Sequence, residues 1–347
     1  MCNLPTNTKA AQSGGFLFFI KYVDTFYFCA IYLGMKPLKD VFIPSNYADE
    51  LLVLKDKYFT WKMEFSSKTK IANTGTITHY SVPDSKRGNF VLLPGLASNS
   101  EIEPLMRAMT YWSLKHKYNI YAIDTFLGDF KVEKSVELAK RNTFPEFIEL
   151  MDAGLEIVSR MSMGQWTCVV GHSMGATGAL EVFNRRVQNE KPLGVSGAIL
   201  FAPYASKEWH DSSKRFIRHF QCSELTDEEF ARTPMGMGSP HDLAKTNENR
   251  YISLFPSFYD DVDSLTPRPD LMAHYDIPVT LVAGGCDRKA PSEFIRTLCE
   301  QTNECSPAVK MRFVEFPNSK HSFMRQHEDW PAILNVIKTQ YAHKKQK

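Results

Sequence analysis

Short runs of apolar residues alternate along most of the chain with longer segments in which apolar residues recur every three or four positions. The short runs predict strands buried on both faces, over Phe90–Leu93, Ile120–Ile123, Trp166–Val170, Gly197–Ala202, Pro278–Ala283 and Lys310–Phe316. Two earlier runs predict antiparallel strands, at Tyr58–Phe65 and Ile77–Ser81. The longer segments predict amphipathic helices over Glu101–His116, Phe144–Met161, Pro291–Gln301 and Trp330–Tyr341. This alternation indicates an α/β protein with a doubly wound, mostly parallel sheet.

Residues 16–33 interrupt this pattern with the almost continuously apolar segment FLFFIKYVDTFYFCAIYL. Its length approaches that of a transmembrane helix, but Lys21 and Asp24 near its middle would be costly in lipid. It has neither the charged start nor the cleavage site of a signal peptide. We expect a helix that rests on the protein or on a membrane surface, with a membrane-spanning anchor as the second interpretation.

A second interruption covers residues 206–275, which are rich in charge, aromatic residues and proline and include Met235-Gly-Met-Gly238. This composition predicts an inserted helical cap rather than another strand–helix unit. The predicted organisation has three parts. They are an N-terminal hydrophobic or amphipathic segment at 1–40, a core at 41–205 and 276–347, and a cap at 206–275.

The sequence Gly171-His-Ser-Met-Gly175 directly follows the predicted strand Trp166–Val170, and good helix formers come after it. Strand, tight turn and helix are the setting in which a G-x-S-x-G sequence forms a nucleophile elbow. The two glycines would remove side chains where strand and helix nearly touch. Ser173 is then expected at the apex, in a strained backbone conformation, as the candidate nucleophile. The alternative is a chance match in an ordinary turn.

A serine hydroxyl is a poor nucleophile at neutral pH, so it requires a base and a third group that orients the base. In this architecture both come from loops after later strands, in the order serine, acid, histidine. The strand that ends at Ala283 leads to Asp287, and the strand that ends at Phe316 leads to His321. We therefore predict a catalytic triad of Ser173, Asp287 and His321.

Each partner in this triad has an alternative interpretation. Aspartate is common in turns, so Asp287 could simply form a turn before a helix, and His321 could be a surface histidine. Asp124 also ends a predicted strand and is the alternative acid. We do not include His172 in the predicted catalytic group, because the side chain next to the nucleophile should point away from it and pack within the protein.

The negative oxygen that develops during acyl transfer requires two preorganised N–H donors. One usually belongs to the residue after the nucleophile and the other to the loop after the third strand of the fold. These positions are Met174 and Leu96, and Gly95 permits the turn that Leu96 would need. The alternative interpretation of the Pro94-Gly95 sequence is an ordinary turn between strand and helix.

The composition is that of an ordinary globular protein, with 43% hydrophobic and 23% charged residues. A net charge of +2 argues against nucleic-acid binding, which usually requires a concentrated basic face. The seven cysteines form neither a C-x-x-C pair nor a zinc-binding spacing, although Cys299 and Cys305 could pair. An odd number suits a reducing compartment, so we predict a cytoplasmic protein, with peripheral membrane contact through residues 16–33 as a further expectation. We predict neither a metal nor a cofactor.

With these residues placed, residues 58–341 resemble the α/β-hydrolase superfamily. The elbow Gly171–Gly175, the loop Gly284-Gly-Cys-Asp-Arg288 and the loop Lys320-His-Ser-Phe323 are most similar to its monoacylglycerol lipase and lysophospholipase branch of serine hydrolases. The resemblance implies ester hydrolysis through an acyl-serine intermediate, an apolar acyl site and a mobile cap. The sequence departs from the family pattern in two places, and both bear on the substrate. Pro94-Gly95 stands where family members often have His-Gly, and Asp124–Phe130 lacks the D-x-x-G-x-G-x-S pattern.

The sequence therefore predicts an esterase or lipase for acylglycerol-like or lysolipid esters. Met235 and Met237 of the cap could line an adaptable acyl pocket, or belong to the cap's own core. A small-molecule esterase or thioesterase, a peptidase or an acyltransferase would use the same nucleophile. The alternative from another class is a non-catalytic binding protein with this fold.

Overall fold

The computed structural model describes residues 15–22, 25–32, 34–37 and 57–67, and residues 73–342 except 84, 86, 102, 129–134, 163, 213, 215–223, 234, 239–250, 307–310 and 324–328. At those of residues 15–37 that are described, and at 57, 235–238, 251, 329 and 341–342, only the backbone is described.

The strands among the described residues are β1 (Gly15–Tyr22), β2 (Thr25–Tyr32), β3 (Gly34–Pro37), β4 (Lys57–Ser66), β5 (Thr74–Ser81), β6 (Asn89–Leu93), β7 (Asn119–Asp124), β8 (Thr167–His172), β9 (Gly197–Phe201), β10 (Met235–Gly238), β11 (Tyr251–Leu254), β12 (Val279–Gly284) and β13 (Met311–Phe316). The helices are α1 (Pro104–Lys115), α2 (Val136–Arg141), α3 (Phe144–Met161), α4 (Met174–Gln188), α5 (Asp227–Ala231), α6 (Ser257–Asp263), α7 (Pro269–Met272), α8 (Ser292–Cys305) and α9 (Asp329–Ala342), with a 3₁₀ turn at Phe126–Gly128.

One large sheet joins most of these strands in the order β13-β12-β9-β8-β6-β7-β5-β4-β3. Neighbours from β13 to β7 are parallel, and β7, β5, β4 and β3 pair antiparallel. The chain leaves β6 for β7 and then returns to β8 on the other side of β6. In open α/β sheets, such a reversal creates a crevice at the carboxyl ends of the two strands. The predicted doubly wound, mostly parallel sheet is confirmed.

The apolar runs that predicted the parallel strands lie in the centre of the molecule. Every residue of β6, β8, β9 and β12 is buried, because helices cover the parallel part of the sheet. Helices α1, α3, α4, α8 and α9 contact these or the adjoining strands. The predicted stripe of α1 is likewise buried, at Leu105, Met106, Met109 and Trp112. Hydrophobic periodicity therefore gave the parallel strands and the longer helices between them, but it did not predict the short helix α2.

The predicted helix over Phe16–Leu33 is wrong, because β1 and β2 form an antiparallel hairpin in which Tyr22 pairs with Thr25. The segment is rich in phenylalanine, tyrosine, isoleucine and threonine, which favour strands. In a run that is almost continuously apolar, little periodicity distinguishes a helix from a strand. Among the described residues, no helix is long and apolar enough to cross a membrane. Membrane contact through residues 16–33 stays a prediction.

The chain between β9 and β12 contains short helices, as expected for the cap, and also a small sheet in which β10 pairs antiparallel with β11. Ser253 of β11 joins this sheet to the main body. Its Oγ accepts a hydrogen bond from the Ser135 N–H at 2.9 Å, and its carbonyl accepts one from Asn142 Nδ2 at 2.9 Å. The domain limits at 1–40, 41–205, 206–275 and 276–347 stay predictions.

Candidate active site

The turn between β8 and α4 consists of Ser173 alone, since β8 ends at His172 and α4 begins at Met174. Ser173 has φ 51° and ψ −119°, a conformation that costs a non-glycine residue about 1–3 kcal/mol. Its N–H donates to the Phe201 carbonyl of β9 at 2.8 Å, which holds the turn against the sheet. The Ser173 side chain does not cap α4, so its Oγ is available to groups beyond the edge of the sheet.

Two glycines allow strand and helix to approach each other at this turn. A Cβ on Gly171 would lie 2.8 Å from the Ala176 Cα, and a Cβ on Gly175 would lie 2.2 Å from the Leu93 carbonyl oxygen. The atoms in the way belong to the backbone, so they cannot move aside as a flexible side chain could. The G-x-S-x-G spacing is therefore a packing requirement of the elbow.

Replacing Gly175 with alanine should lower the free energy of unfolding by about 3 kcal/mol or more, because the added methyl group would overlap the backbone of β6. Chemical denaturation followed by circular dichroism measures this change. Gly164→Ala is the matched control: its methyl group enters open space and adds only left-handed backbone strain at φ 74°, about 1–2 kcal/mol. Equal losses in the two variants would contradict the packing argument.

A chain of hydrogen bonds links the three residues that the sequence proposes as a triad. His321 Nε2 lies 2.8 Å from Ser173 Oγ, and His321 Nδ1 lies 2.8 Å from Asp287 Oδ2. Asp287 follows β12 and His321 follows β13, so the parallel sheet brings both loops to the edge where β8 ends. The second oxygen of Asp287 accepts N–H bonds from Lys289 at 2.8 Å and Ala290 at 3.1 Å, which fixes the carboxylate.

The surroundings keep His321 neutral and Asp287 ionised near neutral pH. Burial lowers the pKa of His321, the Asp287 hydrogen bond opposes this, and electrostatic repulsion from His172 lowers the pKa further, so the net shift is downward. Burial raises the pKa of Asp287, but the hydrogen bond and charge of His321 and the Ala290 and Lys289 N–H groups outweigh it, and the net pKa is lowered. A neutral imidazole beside a carboxylate is the form that can accept a proton from Ser173.

This lowered pKa predicts the pH dependence of any reaction that uses His321 as a base. Protonation inactivates the base, so kcat/KM should be at its plateau above the His321 pKa and fall as the pH drops through it. We expect the midpoint below the ordinary histidine value of about 6.5. A pH series of kcat/KM on a neutral ester measures it, and a midpoint well above about 6.5 would contradict the assigned environment.

Asp124, the alternative acid, belongs to a different hydrogen-bond group. Its two carboxylate oxygens accept bonds from the N–H of Ser100 at 2.8 Å and from Ser100 Oγ at 2.7 Å. Burial raises its pKa to about 6, although the Ser100 bonds act in the opposite direction. The structure therefore brings Asp287, and not Asp124, to His321.

The two residues proposed as oxyanion donors lie on backbone segments next to Ser173. A Cβ on Gly95 would lie 3.2 Å from Ser173 Cβ, so the loop after β6 passes directly beside the serine. Leu96 follows Gly95 and precedes Ala97, which has φ 59° and donates its N–H to the Leu127 carbonyl at 3.1 Å. Met174 is the first residue of α4, where N–H groups lack partners within the helix. Their role as donors stays a prediction.

The insertion contributes apolar side chains to the same region. Phe230 and Tyr259 are buried together, and Leu96 and Leu225 pack against them. The cap therefore contacts the predicted oxyanion loop. Met235 and Met237 lie on β10, where only the backbone is described, so their predicted contact with substrate remains untested.

Sequence reasoning missed two polar residues behind the triad. His172 does more than pack: its Nε2 lies 2.8 Å from the His321 carbonyl oxygen, and its Nδ1 forms an ion-pair contact with Glu103. Glu103 also accepts the Gly95 N–H at 2.8 Å. The position of His172 beside Ser173 was the only sign in the sequence that this residue belongs to the site. Its contacts with Glu103 and His321 could not be predicted, because both residues are distant from it in the chain.

Among the residues that the structure describes, no group of three or more histidine, cysteine or acidic side chains is arranged to hold a metal ion. Cys299 and Cys305, which the sequence left open as a pair, are both free thiols. The site as described consists of protein side chains and backbone amides.

No protein-family model matches the chain, and no curated protein sequence matches it. Solved structures do. One of two fungal esterases from Rhizomucor miehei matches with a TM-score of 0.53 and 16% identity over 89% of this chain and 92% of its own. Est1E from Butyrivibrio proteoclasticus matches with a TM-score of 0.51 and 14% identity over 80% and 99%. The esterase Pf2001 from Pyrococcus furiosus matches with a TM-score of 0.51 and 14% identity over 90% and 99%.

These similarities, with the sheet order and the strand–turn–helix at Ser173, show that the chain has the α/β-hydrolase fold. Because the sequence identities are only 14–16%, these similarities establish the fold alone. The chemistry has to be inferred from the residues of the site.

Proposed function

We propose that this protein is a serine hydrolase that cleaves carboxylic esters through an acyl-enzyme intermediate. The observation that carries the proposal is the hydrogen-bonded series Ser173–His321–Asp287, with the serine on a strained elbow. Two of the similar solved structures are esterases by their own descriptions, which supports the reaction class.

In the proposed mechanism, Ser173 Oγ attacks the carbonyl carbon of the ester while His321 Nε2 takes the hydroxyl proton. Asp287 stabilises the resulting imidazolium at Nδ1. The carbonyl oxygen becomes negative, and the N–H groups of Leu96 and Met174 are the proposed donors to it. His321 then gives its proton to the leaving alcohol, and the acyl group remains on Ser173.

In the second half of the reaction, water removes the acyl group from Ser173 by the same kind of proton transfer through His321. His321 takes a proton from the water as its oxygen attacks the acyl carbon, and the proton returns to Ser173 Oγ when the ester bond breaks. The products are a carboxylic acid and an alcohol, and the enzyme is regenerated. No cofactor enters this proposal.

The test of the reaction class is hydrolysis of p-nitrophenyl acetate and butyrate by the full chain, together with labelling by a fluorophosphonate. We expect turnover and a single covalent adduct on Ser173, located by mass spectrometry of the digested protein. Labelling at another serine, or no turnover of any ester or thioester, would contradict the proposal. Binding of apolar ligands without turnover would instead support a non-catalytic binding protein.

We further propose that the substrate is a lipid-type ester, as in monoacylglycerol or lysophospholipid hydrolysis. The support is the apolar group of Leu96, Leu225, Phe230 and Tyr259, which places hydrophobic side chains beside the proposed oxyanion loop. Met235 and Met237 are proposed as further acyl contacts. A small-molecule esterase or thioesterase is the alternative within the same mechanism.

This finer proposal predicts that kcat/KM for p-nitrophenyl esters rises from acetyl toward medium or long acyl chains. Each additional buried CH₂ group contributes about 0.8 kcal/mol, which is roughly fourfold in kcat/KM per carbon until the pocket is full. Phe230→Ala should move the optimum, whereas Phe59→Ala, at a phenylalanine of β4 that is 42% exposed, should not. A preference for acetyl over all longer chains would contradict the lipid-type substrate but leave the esterase proposal intact.

A further inference from the structure

Glu103 and His172 are buried beside the proposed active site, but the mechanism above gives them no part. Their side chains are only 6% and 9% exposed. Burying two ionisable groups is costly unless each finds a partner. Glu103 precedes α1 but does not cap it, so its carboxylate is directed elsewhere.

The contacts of these two side chains connect the two loops that the mechanism needs. One Glu103 oxygen accepts the Gly95 N–H at 2.8 Å, next to the proposed donor Leu96. The other lies against His172 Nδ1 at ion-pair range, off the line of an ideal hydrogen bond. The opposite nitrogen of His172, Nε2, lies 2.8 Å from the His321 carbonyl oxygen.

The partners of the His172 ring determine its protonation state. A backbone carbonyl can only accept a hydrogen bond, so Nε2 must carry a proton. A carboxylate that already accepts the Gly95 N–H attracts a proton on Nδ1 as well. With both nitrogens protonated, the ring is an imidazolium.

We propose that Glu103 and the His172 imidazolium form a buried ion pair that positions the oxyanion loop against the loop of His321. This inference rests on the proposed function, because it assigns both residues a positioning role in that reaction. Neither touches the reacting atoms. Glu103 acts through the amide of Gly95, and His172 acts through the backbone of His321.

The pair also acts on His321 through charge. His172 faces Glu103, Asp287 and His321, and the His321 ring faces Asp287, His172 and Lys289. The two histidine rings have centroids 5.2 Å apart. Burial lowers the pKa of His172, but Glu103, the His321 carbonyl and Asp287 raise it, with a net upward shift. The resulting positive charge disfavours a second one on His321 and helps to keep this base neutral.

Glu103→Gln tests the charge with little change in shape. The glutamine can still accept the Gly95 N–H, and its amide can donate to an unprotonated Nδ1, so His172 becomes neutral. We expect the acid limb of kcat/KM to move to higher pH by about half a unit or more, because His321 loses its positive neighbour. Glu101→Gln is the control: Glu101 is 54% exposed, pairs with Lys62 and should leave the limb in place.

Glu103→Ala and Glu103→Asp test the positioning. Alanine releases the Gly95 amide, so kcat should fall about 10²-fold with little change in KM, as expected when a reacting geometry is displaced. Aspartate keeps the charge and should recover part of the loss. Equal activity in wild type, Glu103→Gln and Glu103→Ala, all folded by circular dichroism, would overturn the positioning role.

A measurement without substrate separates this inference from the proposed function. Nitrogen-15 NMR of the histidine rings, with His172 assigned by the loss of its signals in His172→Gln, reports protonation directly. We expect both His172 nitrogens to be protonated at pH 7 in wild type and only Nε2 in Glu103→Gln. A neutral His172 in wild type would overturn the ion pair, whatever the activity. An imidazolium in a protein that cleaves no ester would sustain the pair and contradict the function.

Discussion

Replacing Ser173 with alanine should lower kcat for ester hydrolysis by about 10⁶-fold, because the variant has no oxygen to attack the ester carbonyl. His321 would then have no hydroxyl proton to take, and no acyl-enzyme could form. The variant should still hydrolyse the ester about 10³–10⁴-fold faster than water alone, because substrate binding and the oxyanion donors do not depend on the Ser173 hydroxyl. Initial rates with p-nitrophenyl butyrate measure the loss.

The control for this variant is Ser264→Ala, at an exposed serine after α6, which should retain full activity. The double variant Ser173→Ala/His321→Ala should be about as slow as Ser173→Ala alone, since the two residues act as one unit. A Ser173→Ala variant that keeps more than about a tenth of the activity would place the nucleophile elsewhere. Additive losses in the double variant would contradict the hydrogen-bonded pair as the working unit.

Replacing Asp287 with asparagine should lower kcat by about 10⁴-fold while the protein remains folded. The amide keeps the shape of the side chain, but it cannot stabilise an imidazolium by charge and can hold the ring in the wrong tautomer. Asp124→Asn should change kcat by about tenfold or less, because the Asp124 carboxylate bonds to Ser100 and not to His321. Rates of the two variants on one ester, at equal concentrations of folded protein, measure the difference.

The two variants make the same substitution at aspartates of one sheet edge, since Asp124 is the last residue of β7 and Asp287 lies three residues after β12, so their comparison is direct. A larger loss in Asp124→Asn than in Asp287→Asn would assign the acid to β7 and contradict the geometry at His321. Thermal unfolding of both variants separates loss of chemistry from loss of fold. Asp124→Asn removes an acceptor from a buried group and should lower the free energy of unfolding by about 1–3 kcal/mol.

The sequence predicted the parallel strands because strands covered on both faces must be mostly apolar, as β6 and β8 are. It failed at residues 16–33, where Gly15–Tyr22 and Thr25–Tyr32 form strands, because the few polar positions of this segment are too closely spaced to establish a period. In the insertion, aromatic and charged residues indicated a separate unit, but they did not predict that β10 and β11 would pair.

The candidate site divides in a similar way between local and distant information. The elbow is local, since the strand, Gly171, Ser173 and Gly175 lie within a few positions of one another, and steric overlap alone requires the two glycines. The chain order of serine, acid and histidine was also available from the sequence, because loops after parallel strands meet at one edge of the sheet.

By itself, then, the sequence determined the α/β architecture, the elbow and the candidates for the triad, all of which depend on short-range periodicity and spacing. Only the tertiary structure decided between Asp287 and Asp124, because which carboxylate reaches His321 depends on the order of strands across the sheet. It alone paired Glu103 with His172, whose partners come from loops that are distant in the chain. Hydrogen bonds and ion pairs act over a few ångströms in space, and no sequence period records them.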